Sequence, residues 1–282
     1  NEFFIKRRGK RYRVPVNFGS EKAFETYCKL VAIRNGGILN ENDSHCRVTD
    51  ENRRLRINVS IKPRNLISPS ICIRKHRKKS YTMDTLVSMG MMDSRQKEFF
   101  VDLARSDRTV IFCGKGAAGK TTLLRAFINK LPEAERVLVV ESDAEIFPEK
   151  ACCIEQRVKK QNEGGRPVSL RDLVKDGLTM SLDTYCVGEI VGDEAWEFIK
   201  AAHTGHRCLA TTHSESAAGV FGRLLTLSKG AGIGESEATV KEMIGASIDY
   251  IVYLKDFKID EVIKVQGFDS SSNKLVYHTV TF

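Results

Sequence analysis

The spacing of hydrophobic and polar positions changes near residue 90 of this 282-residue chain. Before that point, β-branched runs at 55–63 and 70–76 predict strands, and apolar residues with helical spacing follow Ser20. Two further short strands are predicted to turn at Gly9. The helical run places apolar residues at Phe24, Tyr27, Cys28 and Val31. Together these patterns predict a small α+β domain, with its linker, at 1–90.

Beyond Asp107, short apolar strands alternate with amphipathic helices. The strands are predicted at 109–114, 136–142, 184–190 and 207–213, and the helices at 119–131, 169–180, 193–203 and 216–227. Ser169 and Asp172 have the spacing of a helix capping box. The alternation predicts a mostly parallel sheet with helices on both faces, in a second domain at 91–282. The tail from Tyr250 is predicted to extend that sheet with antiparallel strands.

Charge is distributed unevenly between these two regions. Residues 1–80 contain 20 Lys and Arg against 7 Asp and Glu, a net charge of +13, whereas the remainder contains 25 against 29, a net of −4. A basic N-terminal region indicates an acidic partner, an anionic membrane surface or a nucleic acid, and a solvated basic face is the alternative without a partner. Aromatic residues interleave with the basic ones at Phe3, Phe4 and Tyr12, a pattern that would suit single-stranded DNA.

The most specific motif is a phosphate-binding loop. Residues 114–121 read GKGAAGKT, which fits G-x-x-x-x-G-K-[ST], and the motif lies between a predicted strand and a predicted helix. The backbone N–H groups of such a loop, with the helix N-terminus, form an anion cradle. Lys120 is predicted to reach the β- and γ-phosphates of ATP, and the Thr121 hydroxyl to bind Mg²⁺. The predicted nucleotide-binding residues of the loop are Gly114, Gly116, Ala117, Ala118, Gly119, Lys120, Thr121 and Thr122.

Hydrolysis of a nucleoside triphosphate also needs side chains that position water and support the metal ion. In parallel sheets, such side chains lie at the carboxyl ends of strands. Glu145 follows one predicted strand, Glu189 ends the next and His213 ends another. We therefore consider these three residues as catalytic candidates, with a solvated carboxylate or a structural histidine as the alternative at each position.

In these motifs the chain resembles the type II/IV secretion ATPase family, the traffic ATPases of type IV secretion, type II secretion and pilus assembly. The stretches that carry the resemblance are GKGAAGKTTLL (114–124), VVESDAEI (139–146), VSLRDLVKDGL (168–178), VGEIVGDEA (187–195) and TGHRCLATTHSES (204–216). They look like the family's Walker A motif, its Asp box, the helix leading into Walker B, Walker B itself and the His box. The resemblance covers nearly the whole chain. It implies a RecA-like P-loop NTPase domain preceded by a small α+β domain.

The resemblance also implies roles for individual residues. Glu189 matches the Walker B glutamate, Glu145 the acidic end of the Asp box, and His213 the His-box histidine. In the small domain, Arg56 and Arg74 match arginines that the family brings to the nucleotide. A planar guanidinium suits that task because it can bind phosphate oxygens in a bidentate manner. A generally basic surface remains the alternative explanation for these two arginines.

The family further implies an assembly and a location. Its members form homo-hexameric rings in which ATP closes the N-terminal domain on the ATPase domain and hydrolysis releases it. The implied partners are platform proteins of an inner-membrane secretion or pilus machine. The implied location is cytoplasmic, with peripheral association at the inner membrane. The resulting hypothesis is a Mg²⁺-dependent ATPase that acts as the motor subunit of such a machine.

Some positions depart from the family pattern and favour other hypotheses. Ser142 stands where the Asp box commonly has aspartate, and Val191 stands where many members have arginine. Thr179 and Ser181 lie in an approach to Walker B that is rich in arginine in the family. These changes favour, as one alternative, a nucleotide-binding switch or assembly subunit with little turnover. A DNA-binding conjugation component is a further alternative, although a membrane surface or an acidic partner explains the charge equally well.

Overall fold

The computed structural model describes residues 2–7 and 10–282, and the chain divides into two compact units. Unit 1 contains the described residues up to Arg77 together with 159–167, and unit 2 contains 78–158 and 168–282. The predicted turn at Gly9 lies outside the described residues. The predicted domain limit at residue 90 stays a prediction, and the division into units groups 78–90 with unit 2.

Unit 1 consists of a hairpin, a helix and a three-stranded antiparallel sheet in the order β3-β4-β5. Its elements are β1 (Phe3–Arg7), β2 (Lys10–Val14), α1 (Glu21–Arg34), β3 (His45–Asp50), β4 (Leu55–Ser60) and β5 (Ser70–Lys75). Helix α1 begins after Ser20, whose hydroxyl accepts the N–H of Ala23. Of the predicted apolar face, Phe24 and Cys28 are buried in the core, whereas Tyr27 is exposed. The sequence pattern did not predict β3.

The segment 159–167 belongs to unit 1 although the residues before and after it belong to unit 2. A single turn of 3₁₀ helix at Gln161–Glu163 places the carbonyl of Asn162 2.7 Å from the N–H of Ile38. The side-chain amide of Asn162 donates to the carbonyl of His45 at 3.2 Å. These hydrogen bonds fix the segment beside β3.

Unit 2 is built on an eight-stranded sheet in the order β13-β12-β11-β6-β10-β9-β7-β8. Its elements are α2 (Met83–Ser88), α3 (Ser94–Ala104), β6 (Val110–Gly114), α4 (Lys120–Ile128), β7 (Val137–Glu141), β8 (Cys153–Arg157), α5 (Leu170–Gly177), β9 (Thr184–Ile190), α6 (Glu194–His203), β10 (Arg207–Thr212), α7 (Gly219–Lys229), α8 (Glu237–Ser247), β11 (Tyr250–Lys255), β12 (Lys258–Asp269) and β13 (Lys274–Thr279). Alternate residues of the central strands enter two different apolar clusters, so helices cover both faces of the sheet. The predicted α/β architecture is confirmed.

The C-terminal strands differ from the prediction in one respect. Strand β11 pairs parallel with β6, and only β12 and β13 add antiparallel strands at the edge. The prediction that the whole tail runs antiparallel is therefore wrong for β11. Helices α7 and α8 lie between β10 and β11 in the chain, and a helical crossover of this kind starts the next strand in the same direction as the previous one.

The helices are short and several are capped by side chains. In α5 the Ser169 hydroxyl accepts the N–H of Asp172, and the Asp172 carboxylate accepts the N–H of Ser169, which confirms the predicted capping box. The longest helix, α1, has 14 residues. Within the part of the chain that the structure describes, no helix has both the length and the apolar character needed to cross a bilayer.

Candidate active site

The candidate site residues of unit 2 converge because three neighbouring strands run parallel. Strands β6, β10 and β9 lie side by side in the sheet, so their carboxyl ends meet at one edge. The phosphate loop follows β6, His213 follows β10, and Glu189 is the penultimate residue of β9. The fold thus brings together the loop, the histidine and one of the two predicted carboxylates.

The phosphate loop requires glycine at its two ends. Gly114 has φ +145°, and a Cβ atom there would lie 2.2 Å from the carbonyl oxygen of Leu254. Gly119 has φ +100° and immediately precedes α4, which begins at Lys120. Both φ values lie in a region that L side chains rarely adopt. Between them, Ala117 has φ +64°, a left-handed conformation that is costly for a residue other than glycine.

Lys120 turns its side chain back into the loop. The residue is buried, and its ammonium donates to the carbonyl oxygens of Gly114 at 3.0 Å and Lys115 at 3.1 Å. It also lies 3.4 Å from Nδ1 of His213. Burial lowers the pKa of Lys120, and the negative charge of Glu189 acts in the opposite direction. A buried ammonium held mainly by carbonyl dipoles is a favourable partner for an anion in the loop.

His213 connects this ammonium to Glu189. Nε2 of His213 lies 2.8 Å from Oε1 of Glu189, and both side chains are about half exposed. If Nε2 carries the imidazole proton, it donates to Glu189 while Nδ1 accepts from Lys120. Lys120, His213 and Glu189 therefore form a line of hydrogen-bonding groups that runs from the buried loop to solvent. We call it the Lys–His–Glu line.

A β-bulge determines the position of Glu189 on its strand. Val187 pairs with Ala210 and Ile190 pairs with Thr212, so Gly188 and Glu189 together oppose the single residue Thr211. The buried hydroxyl of Thr211 donates to the carbonyl of Gly188 at 2.7 Å. Bulges reorient the side chain of the extra residue and occur often beside active sites. The Thr211 hydroxyl thus stabilises the backbone that directs Glu189.

Glu145 lies one strand further along the sheet, after β7, which pairs with β9. Its backbone N–H, with that of Ile146, donates to the buried carboxylate of Glu141 at 3.1–3.2 Å. Burial is the main cause that raises the pKa of Glu141 to about 8, and the two N–H groups act against it. A Cβ on Gly188 would lie 2.7 Å from Cγ of Glu141. Glu141 therefore contacts both the Glu145 segment and the bulge that carries Glu189.

Two of the remaining predicted residues belong to unit 1. Arg56 and Arg74 face each other across β4 and β5 of unit 1. Among the departures from the family pattern, Ser142 is partly buried directly after β7, and Val191 is 46% exposed directly after β9. The N–H of Val191 donates to the carboxylate of Glu194, which caps this turn.

An open cavity of about 560 Å³ adjoins the phosphate loop. It is lined by Lys115, Gly116, Ala117, Ala118, Glu215 and the Tyr253–Asp256 segment. The two glycines with positive φ, the buried ammonium and the start of α4 fit a phosphate group, because a helix N-terminus and a lysine both favour negative charge. The Thr121 hydroxyl, one residue after Lys120, is of the type that binds Mg²⁺ together with water and phosphate oxygens.

Two residues with a role in this geometry were not among the predicted site residues. Glu141 and Thr211 act on the backbone around Glu145 and Glu189 rather than facing the loop. A glutamate as the last residue of an otherwise apolar strand was the available signal for Glu141. No sequence pattern distinguishes Thr211 from a threonine that simply favours a strand.

The comparison with protein families gives a match over most of the chain. The family described as type II/IV secretion system protein matches residues 41–256. A conjugal transfer protein of Mycobacterium tuberculosis is 27% identical over 202 residues, which represent 71% of this chain and 57% of that relative. The chain thus spans just over half the length of that relative.

Solved structures show the same fold at low sequence identity. The VirB11 ATPase of the Brucella suis type IV secretion system, solved with sulphate, has a TM-score of 0.52 and 18% identity, covering 93% of this chain and 88% of its own. The Legionella pneumophila ATPase DotB has a TM-score of 0.64 and 18% identity, covering 98% of this chain and 72% of its own. The predicted RecA-like α/β fold is confirmed by these neighbours.

Proposed function

The chain belongs to the type II/IV secretion system protein family, and from this premise we propose that it is an ATP-hydrolysing motor subunit of a bacterial secretion, conjugation or pilus-assembly machine. The observation that supports the proposal is the Lys–His–Glu line beside the phosphate loop. One imidazole lies between an ammonium, to which we assign the phosphate oxygens, and a carboxylate, to which we assign the attacking water. A loop that binds phosphate without hydrolysing its ligand would need only the cation.

Each residue of the site has a distinct task in this proposal. The loop N–H groups and Lys120 bind the phosphates, where positive charge stabilises the transferring phosphoryl group. Mg²⁺, held by the Thr121 hydroxyl, would supply further charge neutralisation. Glu189 and Glu145 orient or polarise the attacking water. His213 contacts both Lys120 and Glu189, so it links the hydrogen bonding of Glu189 to the occupancy of the loop.

We extend the proposal to assembly and coupling. The subunit acts in a homo-hexamer, and ATP binding closes the N-terminal domain on the ATPase domain, with Arg56 and Arg74 as the arginines that bind phosphate oxygens. Its partners are the platform proteins of an inner-membrane machine. It works in the cytoplasm at the surface of that membrane.

Steady-state ATP hydrolysis, with and without Mg²⁺, tests the proposal. Replacing Lys120 by alanine removes the buried cation, so Lys120→Ala should lower kcat/KM by at least about 100-fold. The matched control is Lys130→Ala, which removes an exposed lysine beyond the end of α4 and should keep parental turnover. Parental turnover in Lys120→Ala would rule out the proposed role of the loop.

The departures at Ser142 and Val191 favour a second candidate, a nucleotide-binding switch or assembly subunit with little turnover. Glu189→Gln separates the two, because the amide keeps the shape of the side chain and removes its charge. A motor should lose turnover in this variant and retain nucleotide binding. A switch would bind nucleotide with negligible turnover in the parent protein and in the variant alike.

A further inference from the structure

The loop between β4 and β5 presents the two most exposed large hydrophobic side chains among the described residues. Leu66 is 86% exposed and Ile67 is 85% exposed, and they are adjacent in the chain. Single exposed aliphatic residues are common on protein surfaces, but two neighbours that are almost completely exposed to water are not. We refer to this pair as the aliphatic tip.

The loop that carries the aliphatic tip is held in a defined shape. The N–H of Asn65 donates to the carbonyl of Ile61 at 3.0 Å. Its side-chain amide donates to the carbonyl of Ser68 at 3.1 Å and to the hydroxyl of Ser70 at 2.8 Å. Asn65 thus ties both ends of the loop together, and Pro69 is buried behind the tip. The hydrogen bonds of Asn65 therefore fix the loop in the shape that exposes the aliphatic tip.

A basic pocket lies in the same unit. It has a volume of about 430 Å³ and is lined by Asp43, His45, Arg47, Lys160, Gln161 and Asn162. Burial lowers the pKa of His45, and the positive charges of Arg64, Arg47 and Lys160 lower it further, whereas the hydrogen bond with Asn58 acts in the opposite direction. Arg64 stands two residues before Leu66 in the loop that follows Ile61, and the N–H of Ile61 donates to the carbonyl of Ser44, the residue before His45, at 2.9 Å. Arg47 and Lys160 line the pocket, and Arg64 precedes the aliphatic tip in the chain.

We propose that the aliphatic tip and the basic pocket form a binding surface for an anionic phospholipid bilayer, in which the tip enters the headgroup–acyl boundary and the pocket binds a lipid phosphate. Cations beside protruding aliphatic side chains are the combination that anionic bilayers select. Single-stranded DNA would be expected to use aromatic stacking instead, whereas the tip is aliphatic. The inference gives the proposed membrane association a site, and it does not depend on ATP turnover.

A tryptophan at the aliphatic tip tests this surface directly. The chain has one tryptophan, Trp196, which is buried and gives a constant background emission. In the full chain without nucleotide, Ile67→Trp emission should shift to the blue when phosphatidylcholine–phosphatidylglycerol vesicles are added, and not with phosphatidylcholine alone. The control is Ile33→Trp on α1, a position that is also exposed, whose emission should not shift.

Co-sedimentation with the same vesicles measures the contribution of each part. The double variant Leu66→Ser/Ile67→Ser should weaken binding at least about tenfold, because it removes the apolar side chains whose transfer out of water favours binding. Arg64→Glu should weaken it by roughly ten- to thirtyfold, since each basic residue near an anionic surface contributes about fivefold in affinity and this substitution reverses the charge. The controls Leu30→Ser/Ile33→Ser and Lys22→Glu, all on α1, should change binding by less than about threefold.

Three results would overturn the inference. Vesicle binding without a blue shift of Ile67→Trp would place the membrane contact elsewhere on the protein. A blue shift that grows with protein concentration in the absence of vesicles would make the tip a contact between copies of the chain. A blue shift with single-stranded DNA would assign the surface to nucleic acid. ATP hydrolysis, measured separately on the same variants, should stay at the parental rate, so the two proposals can fail independently.

Discussion

Thr211 and Glu141 show how buried side chains can determine the position of the candidate catalytic carboxylates. Thr211 binds the carbonyl at the β9 bulge, and Glu141 accepts two N–H groups of the segment that contains Glu145. Both groups are buried, so each lost hydrogen bond leaves an unpaired partner at a cost of about 1–3 kcal/mol. The positions of the two candidate catalytic carboxylates thus depend on polar contacts behind them.

Thr211→Val should lower turnover while leaving nucleotide binding nearly intact. Valine has the same shape but cannot bind the carbonyl of Gly188, so the bulge loses its anchor and Glu189 becomes less well oriented. We expect kcat to fall about tenfold, with a change in KM below about twofold. The matched control is Ser228→Ala, which removes a buried hydroxyl bound to the carbonyl of Leu224 in α7. An equal fall in kcat in both variants would indicate a general loss of stability.

Glu141 should make the free energy of unfolding depend on pH. Its pKa is raised from the ordinary 4.5 to about 8 in the folded protein, so the folded state retains a proton that the unfolded state releases between these values. The stabilisation is complete below pH 4.5 and is lost as pH rises through about 8. Over that window the unfolding free energy should fall by on the order of a few kcal/mol from this group.

Urea unfolding of Glu141→Gln across the same pH window measures this effect. The variant has no titrating carboxyl at this position, so its stability should depend less on pH than that of the parent, and the difference should favour the variant increasingly towards pH 8. Glu98→Gln, at an exposed site on α3, should keep the parental slope. Parallel pH profiles for the parent and Glu141→Gln would contradict the raised pKa.

The strand–loop–helix element from β6 to α4 is specified by glycine more than by packing. Gly114 combines a positive φ with a close approach to a backbone oxygen of the neighbouring strand β11. A flexible side chain can move away from a new Cβ, but a backbone carbonyl within a sheet cannot. The element is therefore intolerant of any side chain at that position, whatever its polarity.

Gly114→Ala should lower the free energy of unfolding by roughly 3 kcal/mol or more, because strain in φ and overlap with the backbone add. Gly222→Ala is the matched control, since Gly222 lies within α7 with open space around it. That substitution should raise stability by about 0.5–1 kcal/mol through helix propensity. Chemical denaturation of both variants checks the pair, and equal effects would show that the close approach to Leu254 does not matter.

Strand–helix alternation and the phosphate-loop pattern were sufficient to predict the parallel sheet and the common edge of Lys120, Glu189 and His213, because both depend on local signals. The direction of β11 and the contact of Glu141 with Gly188 were not predictable, because they depend on residues distant in the chain. The same applies to the association of 159–167 with unit 1, which rests on hydrogen bonds to Ile38 and His45.

The molecule as a whole carries its net positive charge in its first 80 residues, which supply most of unit 1. Residues 1–80 have a net charge of +13, whereas the remainder, which includes the phosphate loop, has −4. Such a separation gives one protein two kinds of binding surface. The net positive charge of the whole chain also attracts anionic surfaces over long distances. The membrane-binding surface and the nucleotide site proposed here lie in different units.

The proposed assembly predicts a specific particle mass. With Mg²⁺ and ATP, Glu189→Gln should bind nucleotide without consuming it, and light scattering should then give about six times the 31.7 kDa of one chain. Lys120→Ala, which should not bind nucleotide tightly, is the matched control for a ring that ATP stabilises. A particle of one-subunit mass under all conditions would contradict the hexamer.

The association of 159–167 with unit 1 has a consequence for how the protein can be divided. The chain passes between the units near residues 77, 158 and 167, so three covalent connections join them. A protease that cuts only near residue 77 leaves the N-terminal fragment bound to the rest of the chain by non-covalent contacts with 159–167, which include the hydrogen bonds of Asn162 to Ile38 and His45. Residues up to Arg77 are therefore not a complete domain by themselves. A chimera that exchanges only residues up to Arg77 would leave the foreign domain with a mismatched 159–167, and that segment must be transplanted with it.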